Sequence, residues 1–213
     1  MPISALDYAG AIVRSVKSVD RDGKPAKAVV ATATYATSIE DLWDAITTAP
    51  RIRRWFLPIN GDLKLGGRYQ LEGNAGGTIT KCDPPHAFAT TWEMQGQTSW
   101  IDVRLSAVNT GTALELTHTA IVDDAFWPTY GPGAVGVGWD LGLLGLQRHI
   151  ESPATERPPE ADTSWPTSPE ALDFYRRAST AWGKAAEADG MVNAMEAAEN
   201  TRRFYSGEAP PGM

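Results

Sequence analysis

Hydrophobic and polar positions along the chain change period several times, and each change marks an element. Ile12 to Val19 and Ala28 to Tyr35 are β-prone runs, the second carrying Val29, Val30, Thr32 and Thr34. Between them, Asp20-Arg21-Asp22-Gly23-Lys24-Pro25 supplies the positive φ angles of a tight turn, so the pair predicts a hairpin. Ser38 reads as an N-cap, with Glu40 and Asp41 in the first turn, where acids suit the helix dipole. Ile39, Leu42, Trp43 and Ile46 recur at helical spacing and predict an amphipathic helix of about three turns. Pro50 opens a second short helix that carries Ile52, Trp55 and Phe56 and stops at Leu57-Pro58.

From Gly61 to Ile121 the period is two. Asp62 to Leu65 and Arg68 to Leu71 predict two strands joined by Gly66-Gly67. Gly76-Gly77 precedes a strand over Thr78 to Cys82, which Asp83-Pro84-Pro85 breaks. His86 to Met94 follows, with Phe88, Thr90, Trp92 and Met94 on one face. Ser99 to Leu105 sets Ile101, Val103 and Leu105 against Trp100, Asp102 and Arg104; the last two predict a cross-strand ion pair on the outer face. After Asn109-Thr110-Gly111, Leu114, Leu116 and His118 alternate with Glu115, Thr117 and Thr119. One buried and one wet face is the pattern of an antiparallel meander.

Asp123 to Gly138 is a loop rich in proline, glycine and aromatics, either a lid or a permanent cover over one end of the sheet. A helix then runs from about Val135 or Gly138 to Glu151, with Trp139, Leu143, Leu146 and Ile150 as its stripe. Gly138, Gly142 and Gly145 are poor helix formers, so they imply close backbone approach or open space. Ser152 to Pro169 is proline-rich and reads as a linker or a loosely docked strap. Ser168-Pro169-Glu170 starts a helix through Ala188 that docks by Leu172, Tyr175, Trp182 and Ala186. Gly190 ends it, and Val192 to Tyr205 forms a last helix.

Composition narrows the partners. A net charge of −7 and a pI near 5.0 exclude the basic face that nucleic acid needs. There is no long apolar run to span a membrane and no secretory signal, and a lone Cys82 fits a reducing cytoplasm. Cys82 has no basic activator near it in sequence and reads as a small strand filler. His86, His118 and His149 lack metal-ligand spacing, and Gly131 to Gly136 lacks a nucleotide-binding context, so neither a metal nor a cofactor is expected. There is no Ser-His-Asp elbow. His118 shares a face with Leu114 and Leu116, as a general base, a ligand-bonding group or a core histidine tied to backbone. Trp55, Tyr69, Trp92 and Trp139 are walls of a pocket or plain core.

The order of strands, paired short helices, meander and long helix resembles the helix-grip (START-like, SRPBCC) superfamily. Leu42-Trp43-Asp44-Ala45-Ile46 with Pro50, Arg54-Trp55-Phe56, and Gly66-Gly67-Arg68-Tyr69 resemble the activator of heat-shock-protein-90 ATPase homologue family. So do Asp83-Pro84-Pro85 with Thr91-Trp92, Gly111-Thr112 with Leu116-Thr117-His118, and the helix opening Gly138-Trp139. The likeness covers residues 12–152, and the C-terminal helices resemble tails of actinobacterial-type members.

The resemblance implies an α+β helix-grip (Bet v 1/START-like) fold, a curved antiparallel sheet around a long C-terminal helix, with a helical C-terminal extension. It implies a flexible N-terminus (1–11), the domain (12–152), a linker (153–168), the extension (169–206) and a disordered tail (207–213). The function it implies is binding of a small hydrophobic molecule between sheet and long helix, with no firm catalytic signature. Trp55, Tyr69, Trp92, His118, Trp127, Tyr130, Trp139 and Leu143 would line the site, and His118 is the one catalytic candidate. The alternatives are a polyketide cyclase or aromatase, and a co-chaperone-like or regulatory module, with a homodimer through the C-terminal helices as a partner arrangement.

Overall fold

The computed structural model describes residues 4–123, 125–154 and 163–208. Eight strands form one sheet in the order β1-β2-β8-β7-β6-β5-β4-β3. They are β1 (Val13–Arg21), β2 (Lys24–Tyr35), β3 (Ile59–Gly61), β4 (Arg68–Leu71), β5 (Gly76–Asp83), β6 (Ala87–Met94), β7 (Gln97–Val108) and β8 (Gly111–Ile121). From β3 to β8, consecutive strands pair antiparallel. The helices are α1 (Ala5–Ala11), α2 (Ile39–Thr47), α3 (Ala49–Trp55), α4 (Phe126–Tyr130), α5 (Gly133–Glu151), α6 (Pro169–Ala188) and α7 (Ala194–Tyr205). This is the α+β helix-grip class with a helical C-terminal part.

The chain divides into two compact units. Residues 1–31, 121–144 and 159–213 make one; residues 32–120 and 145–158 make the other. Strand β2 and helix α5 each run through both. The stretch 12–152, read from sequence as one domain, is thus shared between two units, and the extension belongs with the N-terminal strands.

In the first unit, residues 1–3 of the N-terminal segment expected to be flexible lie outside the described residues, and Ala5–Ala11 of that segment form α1. Ser4 caps it by accepting from the Asp7 N–H at 3.1 Å, and Ala5, Tyr8 and Ala9 are buried. Asp140 of α5 is fully buried. Its Oδ2 accepts from Arg14 Nε at 3.1 Å and from Trp182 Nε1 at 3.0 Å. Arg14 also donates to the carbonyls of Ile12 and Ala9, which ties the end of α1 to the ion pair. Burial pushes the Asp140 carboxyl up to about 6, against the opposing pull of Arg14 and Trp182.

Helix α5 begins at Gly133, ahead of both expected starts, and α4 occupies part of the expected loop. Packing accounts for the glycines. A Cβ on Gly136 would overlap the Trp182 indole, and one on Gly133 would lie 3.0 Å from the Thr201 side chain. Tertiary contacts thus override poor helix propensity. On α6, Tyr175, Trp182 and Ala186 are buried as expected, but Leu172 is exposed. Trp165, within the expected linker, is buried against Phe174 and Tyr175. Asp124, residues 155–162 of that linker and residues 209–213 of the expected tail lie outside the described residues.

In the second unit, α2 opens as predicted, with Ser38 Oγ accepting from the Asp41 N–H at 3.2 Å. Leu42, Ala45 and Ile46 are its buried side. The strand expected at Asp62 to Leu65 falls instead at Ile59–Gly61, paired with Tyr69 to Leu71. Gly61, at φ +114°, lets the chain leave β3 where a Cβ would strike the Arg68 carbonyl. Cys82 is exposed and fills no core space. Asp102 stands opposite Ala89 and Thr117, and Arg104 opposite Ala87 and Glu115. The two are neighbours along one strand, and no ion pair joins them.

Gly145 settles one reading of the glycine-rich helix. A Cβ there would overlap the carbonyl oxygen of Trp55, so α5 and the end of α3 approach by backbone. Gly145→Ala is expected to lower the unfolding free energy by about 1–3 kcal/mol through overpacking. The check is the urea midpoint at constant m-value; an unchanged midpoint would show that the approach has slack.

Candidate functional site

The inner face of the second unit's sheet is built by period-two alternation on three long strands. Direct register sets Thr90, Ile101 and His118 in one row across β6, β7 and β8. Trp92 and Ser99 form the next row, and Val103 with Leu116 and Leu105 with Leu114 continue the face in the other direction. Ile101, Val103, Leu105, Leu114 and Leu116 are buried, whereas Trp92, Ser99 and Ala120 keep partial solvent access. Along β7 and β8 the face is thus buried at one end and partly open at the other; on β6, Phe88 opposite Val103 is partly accessible too. Glu93, Asp102, Arg104 and Glu115 all fall on the opposite face by the same alternation.

His118 lies at the boundary between closed and open, 7% exposed. Its Nε2 is 2.8 Å from Ser99 Oγ, and its ring centroid is 6.2 Å from that of Trp92. Burial drives the imidazole from its ordinary 6.5 down to about 4, so it is neutral at physiological pH. Ser99 Oγ also lies 3.3 Å from the Trp92 carbonyl. On β4 the buried Tyr69 hydroxyl donates to the Thr91 carbonyl at 2.8 Å, and on β6 Thr90 Oγ1 lies 2.9 Å from the carbonyls of Thr78 and Thr91. Burial raises the Tyr69 phenol.

Trp55 stands at the junction of α2, α3 and α5. Its Nε1 donates to the Ala45 carbonyl at 2.9 Å, and its ring packs on Phe56. Nearby, Arg51 Nε donates to His149 Nε2 at 3.1 Å, while Arg51 Nη1 bonds Asp41 Oδ1 at 2.7 Å and Asp44 Oδ2 at 3.1 Å. Arginine only donates, so His149 carries its proton on Nδ1. Burial, Arg51 and Arg54 hold His149 below its usual range, and Nδ1 is buried with no partner among the described residues.

The other four residues expected to line a site belong to the first unit. Lys27 Nζ sits 5.5 Å from the Trp127 ring centroid and pairs with Asp189 at 2.6 Å. Tyr130 packs between Phe126 and Phe204. Trp139 and Leu143 lie on α5, Leu143 buried. His118, Trp92 and Tyr69 therefore share one face of the second unit, Trp55 has structural work for its polar tip, and Trp127 and Tyr130 have partners within their own unit. Ser99 was not singled out from sequence, although its parity with Ile101 and Val103 puts it on the His118 face. Among the described residues, no group of three His, Cys, Asp or Glu side chains could hold a metal, and no helix is long and apolar enough to cross a membrane.

Among solved structures, CalU16 from Micromonospora echinospora is similar over most of the chain. Its crystal structure is 29% identical, covering 83% of this chain and 99% of that one, with a TM-score of 0.66. Its solution structure gives 29%, 84% and 97%, with a TM-score of 0.70. DynU16, a protein in the dynemicin biosynthetic locus, is 15% identical over 62% of this chain and 49% of that one, with a TM-score of 0.54. The Aha1 dimer from Colwellia psychrerythraea is 18% identical over 60% and 98%, with a TM-score of 0.50. At these identities the last two share the fold alone. No curated protein matches. The family model described as "Activator of Hsp90 ATPase homolog 1-like protein" matches residues 36–151, more than half of the chain, and the chain belongs to that family.

Proposed function

We propose that this chain binds a small hydrophobic molecule against the inner face of its sheet, at the open end marked by Trp92, Ser99 and His118. The observation that carries this is the join of an aliphatic face to one neutral polar pair where the face becomes accessible. Binding sites for small molecules combine these two things: apolar walls and a few fixed polar groups. Trp92 supplies an aromatic wall, Thr90 adds a polar group on the same strand, and Tyr69 lies two strands further on, on β4. An imidazole held near 4 accepts protons weakly, which favours a binding role over general-base catalysis in the cyclase manner. The single cysteine is consistent with a cytoplasmic setting.

Native mass spectrometry of the purified chain tests the reading. The expected result is a noncovalent adduct that diminishes in Trp92→Ala while circular dichroism is unchanged. An adduct equally abundant in Trp92→Ala would place the ligand elsewhere.

A further inference from the structure

The Ser99–His118 pair says more about its ligand than that it is apolar. Ser99 Oγ has one hydrogen and two acceptor sites. If His118 Nε2 is the bare nitrogen, the Ser99 O–H donates to it across 2.8 Å. If Nε2 carries the proton, it donates to Ser99 Oγ, and the Ser99 O–H is left to the Trp92 carbonyl at 3.3 Å. In both tautomers the serine hydrogen is spent inside the protein, and at least one oxygen lone pair remains. Ser99 is half-exposed, so that lone pair is the polar feature the open end presents.

Charge narrows the class further. No lysine, arginine or carboxylate of β4 to β8 lies on the inner face. An anion there would face a lone pair and mostly apolar side chains, with no counter-charge from these strands to offset its desolvation.

Resting on the binding function proposed above, we infer that the preferred ligand is an uncharged aromatic or alicyclic molecule that donates a hydroxyl hydrogen to Ser99 Oγ, a phenol or alcohol rather than a ketone, ether or carboxylate. Such a ligand completes the chain of donors from its O–H through Ser99 to either His118 or the Trp92 carbonyl. A carbonyl ligand would have to compete for the serine hydrogen.

Three naphthalenes of similar size separate the outcomes: 2-naphthol, 2-methoxynaphthalene and 2-naphthoate, titrated at neutral pH against the full chain by calorimetry. The naphthol is expected to bind roughly tenfold tighter than either analogue, the worth of one hydrogen bond made at a partly desolvated site. Ser99→Ala is expected to erase the preference of naphthol over its methyl ether while leaving the ether's affinity unchanged. If the ether or the naphthoate binds as tightly as the naphthol, the donor inference is overturned and the binding function stands. If none of the three binds, the binding function falls and the inference with it. A preference that survives Ser99→Ala would also overturn the assignment to this pair.

Discussion

Arg14→Ala is expected to lower the unfolding free energy by about 3–5 kcal/mol at neutral pH, the cost of stranding one half of a buried ion pair. Arg14 and Asp140 have side chains 5% and 0% exposed, with Nη2 and Oδ2 3.0 Å apart. Removing the guanidinium leaves the carboxylate with the Trp182 N–H as its one donor among the described residues, where Oδ1 already has no partner. The carboxyl escapes by taking up a proton, so its value rises further in the variant. The deficit should therefore shrink as pH falls toward 5, where a neutral Asp140 needs no counter-charge. Part of the loss comes from α1, whose terminal carbonyls Arg14 also holds. Adding Asp140→Leu should recover much of the loss, because a buried pair replaced on both sides by apolar groups is often close to neutral. Denaturant unfolding of the three proteins at two pH values checks this. A deficit under about 1 kcal/mol, or one that is the same at both pH values, would show that the pair is solvated or dispensable.

The buried role of Arg14 has no local signature in the sequence. The residue stands on a strand 126 positions from its partner. Asp140, between Trp139 and Leu141, looks like any polar residue on a helix. The same limit explains the early start of α5: Gly133 and Gly136 argue against helix until Thr201 and Trp182, distant in the chain, are seen to need the space. What repeats locally was readable. The period-two alternation placed Ile101, Val103, Leu114, Leu116 and His118 on one face, and Ser38 was correctly read as a cap. The β3 error is local too, since Asp62-Leu63-Lys64-Leu65 alternates well. The positive φ of Gly61 and the close approach of Gly67 to the Asp62 carbonyl decide against a strand there. For the site, parity fixed which residues share a face. The Ser99–His118 contact depended on diagonal geometry across β7 and β8, which alternation does not encode.

Acidification gives the second large effect, about 3 kcal/mol through His118, and its sign follows from proton counting. Unfolded, the imidazole titrates near its ordinary 6.5; folded, burial holds it to about 4. Between those values the unfolded chain binds the proton and the native chain does not, so stability rises with pH across the window. The contribution is fully present above 6.5 and is lost as pH falls to about 4. Asp140 works in the opposite sense: its folded value of about 6 lies above the ordinary 3.8, so the native state binds more protons between them and stability falls as pH rises. The slopes of these two groups largely offset between about 4 and 6 in the unaltered chain, which leaves the acid loss through His149, also held below its usual range. His118→Gln breaks the balance. The stability gap between the unaltered chain and this variant is expected to narrow by about 3 kcal/mol from neutral pH down to about 4. Asp140→Asn should instead expose the acid loss due to His118. A gap to His118→Gln that stays constant over this range would mean that the imidazole is solvated, and the neutral anchor at the open end of the sheet would go with it.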